Sequence, residues 1–342
     1  MREIKSNKKN PLKKIFIKLC RIFGFELIDQ SNFTIPTSNK YINESISVPG
    51  KNSVTLPLGK IEITRPIKSL DVVLRTCMSV NMLTQSKKRM FEKNKEEYTM
   101  RTLLSIIKSI NHAKSIFKNI KFRIFIIDHN SEENQINSMR SVLKNSNINF
   151  EILNLKFKEF SNQIKKINEE NKEVTSNQKS NMSNIHQSLT LSREKSEDLT
   201  YFVEDDYIHE KISLTEMLYT YEKISSLTKE ELIICPTDYP YLYTQNENTK
   251  IFLGENRHWR QIDQTLCTFL TSKEIVEKYW EQLVSMCKFE HYPFEKPLHN
   301  IYKKELCISP IPSLAIHFTN VNSIYGLSPN VNWKKLWDEN QS

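Results

Sequence analysis

Glycine is nearly missing: there are five in 342 residues. Neither a P-loop nor a dinucleotide fingerprint can be assembled from so few, so any bound phosphate must be held by side chains, helix ends or metal. Cysteine is sparse and scattered. Cys20, Cys77, Cys235, Cys267, Cys287 and Cys307 form no Cys-x-x-Cys pair. That excludes a sequence-evident zinc site or disulfide framework and fits thiols in a reducing compartment. No apolar stretch reaches membrane-spanning length, and no signal-peptide pattern with a cleavage site is present. The expected location is the cytoplasm.

Charge is unevenly spread. Residues 1–68 hold 13 Lys and Arg against 5 Asp and Glu, a surplus of 8, whereas 69–342 hold 36 against 35. A body this close to neutral argues against nucleic acid as a partner. Between Pro11 and Ile28, apolar Ile15, Phe16, Ile17, Leu19, Phe23, Phe25 and Leu27 interleave with Lys13, Lys14, Lys18 and Arg21. This pattern predicts a short basic amphipathic helix, which either lies on the inner face of an anionic membrane or packs on the body. Residues 29–68 are rich in Ser, Asn, Thr and Pro, with alternating runs Val54-Thr55-Leu56 and Ile61-Glu62-Ile63, and read as a linker or a small β-rich arm. The expected organisation is a basic N-terminal arm over 1–68 and one main domain over 69–342.

Hydrophobic residues make up 38% of the chain, enough for a sizeable core. Leu70 to Thr76, Phe122 to Ile127 and Phe150 to Leu155 read as buried strands. Helices at Thr102 to Phe117 and about Gln135 to Leu143 separate them, which predicts a parallel sheet. Charged residues 79–99 read as a loop over a site. The polar stretch 156–198 reads as helix with a mobile loop near 171–181, and a packed helix runs from Asn184 to Leu191. Leu199 to Val203 is a further core strand, and Ser213-Leu214-Thr215-Glu216 looks like a capping box opening the next helix. Later strands are expected at 232–235 and 265–270, helices at 271–286 and 294–302, and a last apolar run at Leu314 to Phe318. Trp333 and Trp337 are expected to pack the tail back on the body.

Three strand ends carry polar groups: Arg75-Thr76, Asp128 to Ser131, and Glu204-Asp205-Asp206. In a parallel sheet they face one side, where open α/β sheets keep their ligands. Three adjacent carboxylates repel one another, a tension relieved when Mg²⁺ or Mn²⁺ shares them with a substrate phosphate. The plain alternative is a solvated acidic turn before a helix.

Asp128 ending the second strand before Asn130-Ser131, followed by Glu204-Asp205-Asp206, resembles the GT-A glycosyltransferases, especially the family-2-like bacterial enzymes, over roughly residues 70–320. The resemblance implies a mixed, mainly parallel α/β sheet flanked by helices. It implies a nucleotide-sugar donor, UDP- or GDP-linked, and a glycan or lipid-linked acceptor. Asp128 would then contact the donor base, with Arg75, Thr76 and Ser131 lining the base or ribose pocket. Asp206, last in the acidic motif, would hold the divalent metal. Glu204 and Asp205 would lie near ribose and phosphate, Glu204 as a second metal ligand in the position where aspartate is commoner. His317 resembles the late histidine that some members add to the metal. Glu295 stands near the acidic pair of family-2 enzymes, although its neighbour here is Lys296, and Asp263 is the other candidate for general base. Arg257, His258 and Arg260 are candidates for phosphate or acceptor, and Trp259, Tyr239, Tyr241 and Tyr243 for stacking on a sugar. Two other readings share the acids. A sugar-nucleotide nucleotidyltransferase would need a glycine-rich loop where Cys77-Met78-Ser79-Val80-Asn81 stands. A non-catalytic membrane- or glycan-binding protein would leave the acids as mere surface.

Overall fold

The computed structural model describes residues 11–25, 46–48, 51–53, 62–79, 90–244, 249–319 and 323–341. The chain divides into two compact units, Met1–Glu62 and Ile63–Ser342. In the first, α1 is Pro11–Ile22, and β1 (Ile46–Val48) pairs antiparallel with β2 (Lys51–Ser53). The helix stops short of the expected Ile28 because Gly24 takes φ +80. The Phe25 N–H then bonds the Cys20 carbonyl and the Gly24 N–H that of Arg21, a Schellman cap. The Val54–Leu56 run and residues 26–28 lie outside the described residues.

The second unit begins before residue 69. Arg65 pairs with both Asp198 and Glu231, at 2.5 and 2.6 Å, so the segment 63–68 belongs to it. Its elements in order are β3 (Ser69–Thr76), α2 (Lys95–Ile116), β4 (Lys121–Asp128), α3 (Glu133–Lys144), β5 (Asn149–Asn154), α4 (Phe157–Ser161), α5 (Ser176–Lys195), β6 (Leu199–Glu204), β7 (Tyr207–His209), α6 (Ser213–Thr228) and β8 (Leu232–Ile234). There follow β9 (Ile251–Leu253), β10 (His258–Gln261), β11 (Phe269–Ser272), α7 (Lys273–Lys278), α8 (Trp280–Lys288), α9 (Lys296–Tyr302), β12 (Leu306–Ile311), β13 (Ala315–His317) and α10 (Trp333–Glu339).

Among the described residues, nine strands form one sheet in the order β5-β4-β3-β6-β11-β8-β12-β10-β9. Only β11 and β10 run against the others, so the sheet is mixed and mainly parallel. Every residue of β3 is buried, as befits a central strand covered on both faces. Alternation sorts its side chains. Leu70, Val72 and Leu74 join the core under α2, α3 and α6, while Val73 joins the core under α5, α7, α8 and α9. The result is a three-layer α/β/α domain. The tail packs back through Trp337, whose ring stacks on Phe91 at 4.2 Å.

Several local expectations need correction. Helix α2 starts seven residues before Thr102, because Asn94 caps it through the Glu97 N–H and Glu96 and Glu97 suit the positive end of the helix dipole. The expected mobile loop near 171–181 is a turn followed by a capped helix. Asn168 Oδ1 takes the N–H groups of Glu170 and Lys172, and Thr175 and Gln178 form a reciprocal capping box. Conversely, Ser213-x-x-Glu216 is no capping box. Ser213 donates to the Leu314 carbonyl at 2.5 Å, and Glu216 accepts from the Glu255 and Asn256 N–H groups and from Trp259 Nε1. Strand β11 begins at Phe269, since Thr265 is held instead by His299 and Tyr302. The helix expected over 271–286 breaks at Tyr279 into α7 and α8.

Gly254 touches the ring of groups around Glu216. A methyl there would sit 2.4 Å from Trp259 Nε1 and 2.5 Å from Glu216 Oε1. Gly254→Ala is expected to destabilise the domain by about 2 kcal/mol through this overpacking. Chemical denaturation should show a lower midpoint at unchanged slope.

Candidate active site

Sheet register does the first part of the assembly. Thr76 lies beside Asp128 across the β3–β4 ladder, and Arg75 beside Glu204 across β3–β6. Alternation then puts each pair on its own face of the sheet. Thr76 Oγ1 and Ser131 Oγ each donate to Asp128 Oδ1 at 2.6 Å, and the Ser131 N–H donates to Oδ2 at 3.0 Å. The Asp128 carboxylate is thus fixed in place, with only one described donor on Oδ2. His129 next to it stacks on Phe157 at 5.2 Å and meets Ser180 Oγ through Nδ1 at 2.5 Å.

On the other face, buried Arg75 places Nη2 3.1 Å from Glu204 Oε1 and donates through Nη1 to Asn181 at 2.9 Å. The Glu204 N–H bonds Thr268 Oγ1 at 3.1 Å. Burial pushes the Glu204 carboxyl up; Arg75 opposes this and Asp206 adds to it. Yet 29% of its side-chain surface reaches solvent.

The three acids point in different directions and each meets its own cation. Asp205 is buried and Oδ2 takes the Cys77 N–H at 3.2 Å, the Thr99 hydroxyl at 3.0 Å and Lys95 Nζ at 3.3 Å. It ties the end of β3 and the start of α2 to the end of β6. Asp206 Oδ2 lies 3.1 Å from His317 Nε2. The ladder between β7 and β13 makes this meeting, pairing Tyr207 with His317, and the Phe318 N–H closes it on the Asp206 carbonyl at 3.0 Å. His317 stacks on Tyr207 at 4.7 Å and 13°, and its Nδ1 lies 3.1 Å from the Tyr325 carbonyl. A carbonyl only accepts, so Nδ1 carries hydrogen and Nε2 is the nitrogen turned toward Asp206. Burial works to raise the Asp206 carboxyl, but the charge and hydrogen bond of His317 hold it down, at about 2. Burial works against the His317 charge, and Asp206 outweighs it and raises the imidazole.

No group of three or more His, Cys, Asp and Glu converges in metal-binding array among the described residues. Asp206 and His317 make a two-donor set, one oxygen and one nitrogen. Such a set fits Mn²⁺ or Mg²⁺ where substrate phosphate and water complete the shell. The carbonyl behind Nδ1 orients the imidazole as the outer partner of a metal-bound histidine does. Glu204, turned to Arg75, is not part of that pair.

Of the two candidate bases, Glu295 opens α9 and Asp263 is exposed. Burial pushes the Glu295 carboxyl up to about 7, with Glu204 adding to the rise and Arg75 and His317 opposing it. It therefore shares the electrostatic environment of the acids. Tyr325 is influenced by both Glu295 and Asp263 and donates to Gln264 Oε1 at 3.0 Å.

Of the other candidates, His258 is exposed and the two arginines are engaged elsewhere. Arg257 pairs with Glu210 and donates to the Pro312 and Ser313 carbonyls. Arg260 pairs with buried Asp238. Trp259, Tyr239 and Tyr241 are fully buried, so none offers a face to a sugar; Tyr243 is exposed, with Arg260 over its ring at 4.4 Å. Sequence reasoning missed Lys95, Asn181, Thr268 and Tyr325. The Asn94 cap before Lys95 was the one available signal. Two surface grooves, about 600 Å³ between α4 and the start of α5 and about 280 Å³ at the amino ends of β3 and β4, are lined by none of the acids.

No protein-family model and no curated protein matches this sequence. Loose overlaps with solved structures do occur. UTP-bound UGPase from Acinetobacter baumannii overlaps at TM-score 0.40 and 8% identity, over 80% of this chain and 92% of that one. S. aureus TarS overlaps at 0.36 and 14%, over 65% of this chain and 33% of TarS. The galactosyltransferase LgtC, in complex with donor and acceptor sugar analogs, overlaps at 0.33 and 9%, over 70% and 86%. With overlaps this loose, function has to be argued from the site.

Proposed function

We propose that this chain is a metal-dependent glycosyltransferase that moves a sugar from a nucleotide-sugar donor to a hydroxyl of a glycan or lipid-linked acceptor. The observation that carries the reading is the Asp206–His317 pair just past the carboxyl end of β6, next to Arg75–Glu204 at the ends of β3 and β6 and Thr76–Asp128–Ser131 at the ends of β3 and β4. Asp128 Oδ2 accepts, which suits a base presenting an imide N–H, as uracil and guanine do. Arg75 and Glu204 face ribose and diphosphate. Asp206 and His317 hold Mn²⁺ or Mg²⁺, which when bound offsets charge on the departing nucleoside diphosphate. Glu295 takes the proton of the acceptor hydroxyl, a role suited to a carboxyl whose proton leaves near neutral pH. Asp205 and Lys95 keep the floor of the site in place.

A melting screen tests this. UDP or GDP with Mn²⁺ is expected to raise the melting temperature, and neither nucleotide alone should match it. At roughly a hundredfold excess over Kd the stabilisation is about 2.7 kcal/mol. Product analysis then separates the chemistries: a transferase releases nucleoside diphosphate, and a nucleotidyltransferase releases pyrophosphate. Release of pyrophosphate, or no nucleotide binding with Mn²⁺ present, overturns the proposal.

A further inference from the structure

The first compact unit carries a surface that the proposed chemistry does not use. Helix α1 sets Leu12, Ile15, Phe16, Leu19 and Ile22 along one stripe at spacings of three and four, and Phe23 continues it past the last turn. All six are exposed, from 48% for Leu19 to 73% for Phe23, as is Phe25 after the cap. A stripe of this kind ordinarily faces a core. Here large apolar side chains reach solvent together, beyond what scattered surface residues account for.

The charges indicate what covers the stripe. Lys13, Lys14, Lys18 and Arg21 lie on the same twelve residues, which contain no Asp or Glu. Their positions fall on the arc away from the stripe. Residues 1–25 as a whole hold eight Lys and Arg against one Glu. A second copy of so basic a helix would be repelled, whereas an anionic lipid surface attracts each cation and accepts the apolar stripe below its headgroups. A twelve-residue helix rises about 18 Å, too short to cross a bilayer of about 30 Å. No helix among the described residues is long and apolar enough to cross one.

We propose that α1 docks in the plane of an anionic lipid bilayer, with Leu12, Ile15, Phe16, Leu19, Ile22 and Phe23 inserted and its lysines and arginine against the headgroups. This is independent of the glycosyltransferase reading.

The test is co-sedimentation of the full chain with phosphatidylcholine vesicles, pure or containing roughly one third phosphatidylglycerol, at low and high salt. At least about tenfold more protein should pellet with the anionic vesicles at low salt, and the difference should shrink at high salt. Phe16→Asp with Leu19→Asp should abolish pelleting without changing the melting temperature, because both side chains are already exposed. Lys14→Glu with Lys18→Glu should abolish the preference for anionic lipid. Three outcomes overturn the proposal: a wild-type chain that stays in the supernatant, a Phe16/Leu19 variant that still pellets, or a lipid-free dimer of the wild type that the Phe16/Leu19 variant converts to monomer.

Discussion

Asp206→Asn is expected to lower kcat/KM by about a thousandfold, near 4 kcal/mol of transition-state stabilisation. Asparagine keeps the shape and one acceptor oxygen but removes the charge. That charge is what the site maintains at some cost, since burial disfavours it and His317 keeps it ionised, with the carboxyl at about 2. The loss should appear in the Mn²⁺ dependence: the variant requires far more metal, or does not respond to it. The same variant should lose the extra thermal stabilisation that Mn²⁺ adds to the nucleotide. His317→Ala should act in the same direction on metal dependence, because His317 would be the second donor once Nε2 gives up the proton it shares with Asp206. Full turnover at ordinary metal concentration in Asp206→Asn would remove this residue from the site.

The strand ends that carry the candidate site were legible because they follow from local pattern. Apolar runs locate β3, β4 and β6, and their parallel order brings Thr76, Asp128 and Glu204 to one edge. What the pattern hides is pairing over distance. His317 reaches Asp206 across 111 residues through a ladder of three residue pairs between β7 and β13. An isolated apolar run with a histidine carries no sign of its partner. Charges misled for a related reason. Arg257 and Arg260 look available in the sequence, but Glu210 and Asp238, distant in the chain, take them. Glu216 looks like a helix cap in the sequence, yet Glu255, Asn256 and Trp259 supply its donors. The basic N-terminal arm was legible as an amphipathic pattern, while the exposure of Phe16 and Leu19 was not.

Glu295→Gln is expected to lower kcat by about 10²- to 10⁴-fold, the usual worth of a positioned general base. The pH profile carries a sharper signature. Burial raises the wild-type carboxyl from 4.5 to about 7, and only its ionised form accepts a proton. Wild-type activity should therefore climb about tenfold per pH unit below that value and level off above it. The glutamine variant should lose this limb. Stability moves the opposite way. Between pH 4.5 and about 7 the folded state holds a proton that the unfolded chain has released, so stability falls as pH rises through this window. Above it the cost is complete and constant. Glu295→Gln removes that cost, so its melting temperature should exceed that of the wild type above pH 7 and converge with it near pH 4.5. A variant with reduced kcat but an intact acid limb and no pH-dependent gain in melting temperature would assign the base to another group, and Asp263→Asn is then the variant to compare.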